Sequence, residues 1–347
     1  MKDNKPVLGI TMGDVCGCGP EITVKALMKE ETYRLCNPVI IGSGAMVTRA
    51  IRALDVSPVI HRIDDVHDAV FQPGTIDVYE TPFDGMEGAL PYGLVTVAGG
   101  ESAFSAVKKA IELALDNQLD GTVTGPLHKE SLNLAGHHYA GHTEIYADLT
   151  GTADYAMMLA NDNLRVVHVS THVSLREACD RVKKDRVYRV IRLADRACRD
   201  LGIDRPKIAV AGLNPHAGES GLFGTEEIQE IAPAIGMAVA YGLAAEGPVP
   251  PDTVFSKALG GMYDVVVAMY HDQGHIPLKT NGFTYHHAES RWETVDGVNI
   301  TLGLPIIRVS VDHGTAFGKA GKGTASSESM ESAIAYGARF AGRRIHA

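Results

Sequence analysis

The stretch that most constrains this chain is Asp264-Val-Val-Val-Ala-Met-Tyr-His-Asp-Gln-Gly274. Its apolar, β-branched start, bounded by Gly260-Gly261 and Gly274, predicts a buried strand over 265–269. His271 and Asp272 then sit just past the strand's carboxyl end, the edge of an open α/β sheet where ligands bind. The arrangement recurs twice. A strand over 164–170 is followed by His172, and one over 207–212 by Asn214-Pro-His216. Three imidazoles suit a divalent cation such as Zn²⁺, Co²⁺ or Ni²⁺. Taken singly, any of the fifteen histidines is best read as an ordinary loop residue. The shared strand-end placement is what sets His172, His216 and His271 apart.

Composition excludes several classes. Lys plus Arg is 32 against 42 Asp plus Glu, a net charge of −10, which argues against a large nucleic-acid-binding surface. Small anions remain compatible, since a few local Arg and Lys residues hold them. Five cysteines without framework spacing suit a reducing compartment. The N-terminus shows no apolar signal segment, and no apolar run reaches the ~18–20 residues of a membrane helix. The expectation is a cytoplasmic protein without membrane contact.

Strand and helix patterns alternate along most of the chain, predicting parallel βαβ units. Strands are expected over 6–11, 38–42, 57–63, 75–79 and 121–124, and a helix over 99–115. Ser174 is placed to cap one long helix running to Leu201-Gly202. A further helix is expected over 227–242, a rigid turn over 247–252, one strand over 298–310 and a closing helix over 327–341. The turn Gly13-Asp-Val-Cys-Gly-Cys-Gly-Pro-Glu21 has Gly17 and Gly19 spaced as in a dinucleotide fingerprint, but Ile22 stands where the third glycine belongs. A tight strand-to-helix turn is at least as good a reading as phosphate contact. Cys16 and Cys18 read more safely as small buried residues than as a metal or redox pair. Arg308 could grip an anion with its planar fork.

Gly212-Leu-Asn-Pro-His-Ala-Gly-Glu219, Tyr270-His-Asp-Gln-Gly274 and Val298-Asn-Ile-Thr-Leu-Gly-Leu-Pro305 resemble the PdxA family. Further matches run from Gly9-Ile-Thr-Met-Gly-Asp14 to Asp312-His-Gly-Thr-Ala316, so the resemblance covers nearly the whole chain. The family contains dehydrogenases of 4-phospho-hydroxythreonine, 4-phospho-threonate and 4-phospho-erythronate. The resemblance implies two α/β/α domains with mostly parallel sheets, like isocitrate and isopropylmalate dehydrogenases, with the site in the interdomain cleft. The expected domains are 1–125 with 298–347, and 126–297. The resemblance also implies a homodimer that shares its metal site: His172 and His216 from one subunit, His271 from the other. His142, Thr143, Lys279, Asn299 and Arg308 are implied to hold substrate. Lys129 and Asp252 join Asp272 as candidates for the proton-accepting group. The segment Asp312-His-Gly-Thr-Ala-Phe-Gly-Lys-Ala-Gly-Lys-Gly323 resembles the nucleotide loop of isopropylmalate dehydrogenase, which makes His313, Gly314, Ala316, Ala320, Gly321 and Gly323 cofactor candidates.

Three departures bear on function. Val15, Cys16 and Cys18 interrupt the family's Pro-Ala-Gly-Ile-Gly. Gly318 and Lys319 replace its Asp-Ile, which leaves NAD against NADP open. Residues 284–296 form an insertion of about a dozen residues that holds Trp292, the one tryptophan. It reads equally as a surface excursion or as a lid. The expected reaction is oxidation of a small phosphorylated β-hydroxy acid by NAD or NADP, with decarboxylation. A divalent metal is required, whether Zn, Co, Ni, Mg or Mn. The alternatives are a dehydrogenase of an unphosphorylated diol acid and a three-histidine hydrolase.

Overall fold

In this computed structural model, the described residues are 5–85, 90–161, 163–286, 291–294 and 297–345. They divide into two compact units, Met1–Ala153 with Leu304–Ala347, and Asp154–Gly303. The boundaries expected from sequence were 125/126 and 297/298. Packing instead groups 126–153 with the first unit and 298–303 with the second.

The first unit begins with β1 (Val7–Thr11), α1 (Gly19–Leu27), α2 (Glu30–Leu35), β2 (Asn37–Gly42) and α3 (Gly44–Leu54). Next come β3 (Val59–Ile63), β4 (Thr75–Glu80), α4 (Val97–Leu115), β5 (Gly121–Thr124), α5 (Lys129–Leu134) and α6 (His142–Leu149). The second unit contributes β6 (Ala156–Ala160), β7 (Arg165–His168), α7 (Leu175–Arg181), α8 (Lys184–Asp200), β8 (Ile208–Ala211) and α9 (Ala232–Ala240). It continues with β9 (Ala245–Val249), α10 (Pro251–Leu259), β10 (Val265–Ala268), α11 (His271–Gly282), β11 (Phe283–His286), β12 (Arg291–Thr294) and β13 (Val298–Leu302). The chain then completes the first unit with β14 (Arg308–Val311) and α12 (Glu328–Ile345).

In the first unit the strand order is β3-β4-β2-β1-β5-β14, and every pairing is parallel. Strands buried on both faces read as continuous apolar runs, which is why Val39-Ile-Ile41 does not alternate. Val39 and Ile41 pack with Val107, Ala110 and Ile111 of α4. On the other face, Leu8 and Val123 approach α12 so closely that a Cβ at Gly337 would lie 3.2 Å from Val123. In the second unit the order is β13-β6-β7-β10-β8-β9. Here β7, β10, β8 and β9 run parallel, while β6 is antiparallel to both its neighbours. Val166, Ala209, Val266 and Ala268 share a core cluster with Val254, Phe255 and Ala258 of α10 and Leu278 of α11. Both units are mostly parallel α/β structures, as expected.

Several local expectations are corrected. Ser174 does cap a helix, accepting from Glu177 N–H at 3.2 Å, but that helix stops at Arg181 and a second starts at Lys184. Extended ψ angles at Val182 and Lys183 break the run, a change of direction that periodicity does not reveal. The strand expected over 298–310 is two strands, β13 and β14, in different units, because Gly303 turns with φ 94°. The rigid turn expected over 247–252 includes the end of edge strand β9 and the start of α10. Prolines are tolerated on edge strands and at helix starts. The helix expected over 227–242 opens with a π turn at Glu227–Ile231. The insertion contributes an antiparallel two-stranded ribbon in which Tyr285 pairs with Trp292; residues 287–290 and 295–296 lie outside the described residues.

Candidate active site

In the second unit, strand ends β7 and β10 deliver a histidine cluster. Val169 N–H donates to Ala268 C=O at 2.8 Å and Ser170 Oγ to Met269 C=O at 3.0 Å, tying the two ends together. Gln273 continues the tie. Its Oε1 accepts from Met269 N–H at 2.6 Å, and its Nε2 donates to Gly212 C=O at 2.7 Å, at the end of β8. One buried amide thus fixes the turn that carries His271 and Asp272. The His271 and His275 rings stack with centroids 3.6 Å apart, His168 lies 4.8 Å from His275, and His172 lies 5.6 Å from His271. Gly274 permits this, since a Cβ there would sit 2.4 Å from His168 Nε2. Burial, then the neighbouring imidazoles, pushes His168 down to about 3 and His275 to about 4. Both are neutral at neutral pH. His271 Nδ1 pairs with Asp272 Oδ1 at 2.6 Å, a contact of the kind that fixes a tautomer.

His216 sits on an unusual loop. Residues 216–220 all have left-handed φ, from 43° to 80°. Such a run persists only where its surroundings hold it. The buried Glu227 carboxylate is that support: it accepts from Leu213 N–H and Asn214 N–H at 2.7 Å and from Asn214 Nδ2 at 2.9 Å. His216 itself is exposed, its ring 6.4 Å from Phe223. Within one chain, no group of three His, Cys, Asp or Glu is placed to hold a metal among the described residues. The imidazoles of His172, His216 and His271 nevertheless match the donor chemistry of a borderline divalent cation.

The remaining expected residues of this unit are spread over its elements. Asp252 is exposed in the first turn of α10. Lys279 lies on α11, and Asn299 on β13 donates through Nδ2 to Met157 Sδ at 2.9 Å.

In the first unit, His142 and Thr143 open α6 behind Gly141. His142 Nε2 is buried with no hydrogen-bond partner, and burial, reinforced by the charge of Arg308, holds the ring well below its ordinary range. Arg308 is 3% exposed. Its Nη2 donates to Thr124 Oγ1 at 3.1 Å. Burial lowers Arg308 to about 10, so it stays cationic. A buried cation beside a neutral imidazole and a helix N-terminus is an arrangement that receives an anion. Lys129 is exposed at the start of α5.

In the turn at 13–19, four amides that a phosphate would need, those of Asp14, Cys16, Gly17 and Cys18, are already used within the chain. Asp14 N–H donates to Pro126 C=O, Cys16 N–H to Asp14 Oδ1, Gly17 N–H to Asp14 C=O and Cys18 N–H to Thr315 C=O, all within 2.9–3.0 Å. A Cβ at Gly13 would lie 2.0 Å from Pro126 C=O, and Gly13 has φ 72°. Cys16 and Cys18 are buried free thiols whose pKa is pushed up by burial, which disfavours the thiolate. In the 312–323 loop, Ala316 is left-handed with φ 44° and His313 Nδ1 lies 2.8 Å from Gly314 C=O. A Cβ added at Gly314 or Gly318 would meet nothing, so that arc of the loop is open.

Sequence reasoning missed His168, His275, Gln273, Glu227 and Glu21. His168 ends a strand that was recognised, yet a histidine inside an apolar run reads as core. The Gln and Glu residues act on partners found only in the folded chain.

Known proteins agree with this architecture. The family described as pyridoxal phosphate biosynthetic protein PdxA matches residues 34–337. A D-threonate 4-phosphate dehydrogenase of Salmonella typhimurium is 50% identical over 329 residues, covering 94% of this chain and 96% of that one. The crystal structure of 4-hydroxythreonine-4-phosphate dehydrogenase from Klebsiella pneumoniae superposes with TM-score 0.84 at 45% identity, over 97% and 99% of the two chains. A terephthalate 1,2-cis-dihydrodiol dehydrogenase from Burkholderia xenovorans superposes with TM-score 0.68 at 27% identity, over 96% and 98%. With one family matched across most of its length, and a relative identical at half of the aligned positions, this chain belongs to the PdxA family.

Proposed function

We propose that the chain is a metal-dependent, NAD- or NADP-linked dehydrogenase that oxidises the secondary alcohol of a small phosphorylated β-hydroxy acid. The candidate substrates are 4-phospho-threonate, 4-phospho-erythronate and 4-phospho-hydroxythreonine. The observation that carries the reading is Arg308, a buried cation with the neutral His142 as its neighbour. A phosphate placed there would meet the planar fork of guanidinium donors, a charge-assisted and bidentate contact. The names of the relatives supply the substrate class.

A nicotinamide held by the 312–323 loop would accept the hydride of the carbinol carbon, and the hydroxyl proton would pass to a base of this chain. Lys129 and Asp252 are the candidates for that base. Asp272 fits an orienting role better, since its Oδ1 is engaged with His271 Nδ1. The β-keto acid so formed loses CO₂. His172, His216 and His271 would hold the divalent ion, with His271 contributed by the partner subunit of a homodimer as the resemblance implies. Bound there, a divalent ion supplies Lewis-acid stabilisation of the oxygen that gains negative charge. Thr143, Lys279 and Asn299 take substrate roles by the resemblance, and the 312–323 loop takes the cofactor.

A second reading, an unphosphorylated diol as substrate, is favoured by the similarity to the dihydrodiol dehydrogenase structure. One assay decides. Purified protein, a divalent metal and either nicotinamide cofactor are incubated with the three phosphorylated acids and with an unphosphorylated diol acid, and absorbance of the reduced cofactor is followed. Reduction with a phosphorylated acid is the expected result. Reduction with the diol alone keeps the dehydrogenase and overturns the substrate class.

A further inference from the structure

Helix α1 turns two charged side chains, one helical turn apart, toward the loop after β14. Glu21 is only 1% exposed. Its Oε2 accepts from Gly323 N–H at 2.8 Å and its Oε1 accepts from Gly321 N–H. Lys25 Nζ donates to the carbonyls of Gly323 at 2.8 Å and Ala325 at 2.7 Å. Gly321 and Gly323 are left-handed, with φ 75° and 64°. Amides gathered by such residues form the concave donor set that binds anions. Here the anion is a carboxylate of the same chain, about 300 residues away in sequence. The other side of Gly321 is closed as well, since a Cβ there would sit 2.6 Å from the Tyr92 ring, and Ala320 is buried.

We propose that Glu21 and Lys25 are positioning residues of the cofactor loop: Glu21 fills its amide nest and Lys25 holds the adjoining carbonyls, so that dinucleotide meets the exposed His313, Gly314, Ala316, Gly318 and Lys319 and not the amides of Gly321 and Gly323. The proposal rests on the nicotinamide reading above. It divides the six residues expected at the cofactor. His313, Gly314 and Ala316 lie on the exposed arc, whereas Ala320, Gly321 and Gly323 form its frame. The exposed Lys319 stands on the same arc, where it adds positive charge. The clamp is charge-assisted at every contact, and a buried carboxylate stripped of its two donors would be strongly disfavoured. A loop set in advance in this way spares the cofactor the entropy of ordering it.

The test compares the wild-type chain with Glu21→Gln and Lys25→Met. Gln keeps the volume but turns an N–H₂ donor toward one of two N–H donors. Steady-state kinetics for cofactor and substrate are read together with hydrogen exchange at the amides of 321 and 323. The expected result for Glu21→Gln is a cofactor KM raised tenfold or more, with kcat and substrate KM within twofold and faster exchange at both amides. Lys25→Met raises the same parameter less and serves if the Glu21 variant fails to fold. Faster exchange with an unchanged cofactor KM overturns the proposal, and so do equal losses in cofactor KM, substrate KM and kcat, which mark a merely structural role. A wild-type chain that reduces neither cofactor overturns the nicotinamide reading, and this proposal with it, even where the exchange rates respond to the substitutions.

Discussion

The Arg308 guanidinium lies 5.7 Å from the centre of the Tyr146 ring, and Tyr146 OH donates to Thr122 Oγ1 at 2.9 Å. The Tyr146 ring and the Thr124 hydroxyl thus both contact the buried cation. Arg308→Ala is expected to lower kcat/KM for phosphorylated substrates by roughly 10–150-fold, the equivalent of about 1.5–3 kcal/mol for a hydrogen bond to a charged group. An unphosphorylated analogue should lose much less. Lys is an imperfect replacement, because it lacks the planar fork. Equal losses for both substrate types, measured in parallel, would remove Arg308 from the phosphate.

Replacing His172, His216 or His271 singly with Ala is expected to remove most activity and most bound metal while thermal unfolding stays close to that of the parent. Two of these residues are exposed, so truncation leaves no cavity in the core. Chelation of the parent should abolish turnover, and a divalent ion should restore it. Metal analysis showing full occupancy in all three variants would end the assignment.

Gln273→Leu tests the tie between strand ends. It strands the Met269 N–H and the Gly212 C=O, both engaged now by one side chain. Leaving a buried polar group unsatisfied costs about 1–3 kcal/mol. Denaturant unfolding should therefore show a loss in that range or somewhat above it, with metal affinity reduced as His271 loses its fixed position. A variant as stable as the parent would show that water replaces the amide.

Residues 284–296 are the test of the lid. Shortening the segment to family length is expected to change KM, kcat or substrate preference, and Trp292 fluorescence is expected to respond to substrate. The segment opens directly from α11, the helix that carries His271 and Lys279. An unchanged substrate profile with a silent Trp292 signal would make the ribbon an ordinary surface excursion.

Acid stability follows from His142. Its ring is held below its ordinary range by burial, so the unfolded chain binds a proton in the window from about pH 6.5 down to the depressed folded value, and the folded chain does not. Stability conferred by the neutral ring is present above that window and falls as pH drops through it. His142→Asn should show a shallower decline between pH 7 and pH 5 in thermal unfolding. Parallel declines for the two proteins would assign the acid sensitivity to other groups.

What the sequence determined on its own was whatever repeats locally. Apolar β-branched runs punctuated by glycine marked β1, β5, β8 and β10, and helical spacing marked α4, because burial on both faces or on one stripe leaves a trace in neighbouring residues. The motifs around His172, His216 and His271 were legible for the same reason: each lies a few residues past its strand. Tertiary structure alone decided how the backbone donors were used. The glycine turn at 13–19 offered the same pattern whether its amides faced a phosphate or Pro126 and Thr315. Glu21 looked like one more acid in a helix's first turn until the fold brought Gly321 and Gly323 to it. Glu227 and Gln273 were invisible for a related reason. A buried carboxylate or amide is stabilised by whichever donors and acceptors it meets, and those come from distant segments brought together by folding.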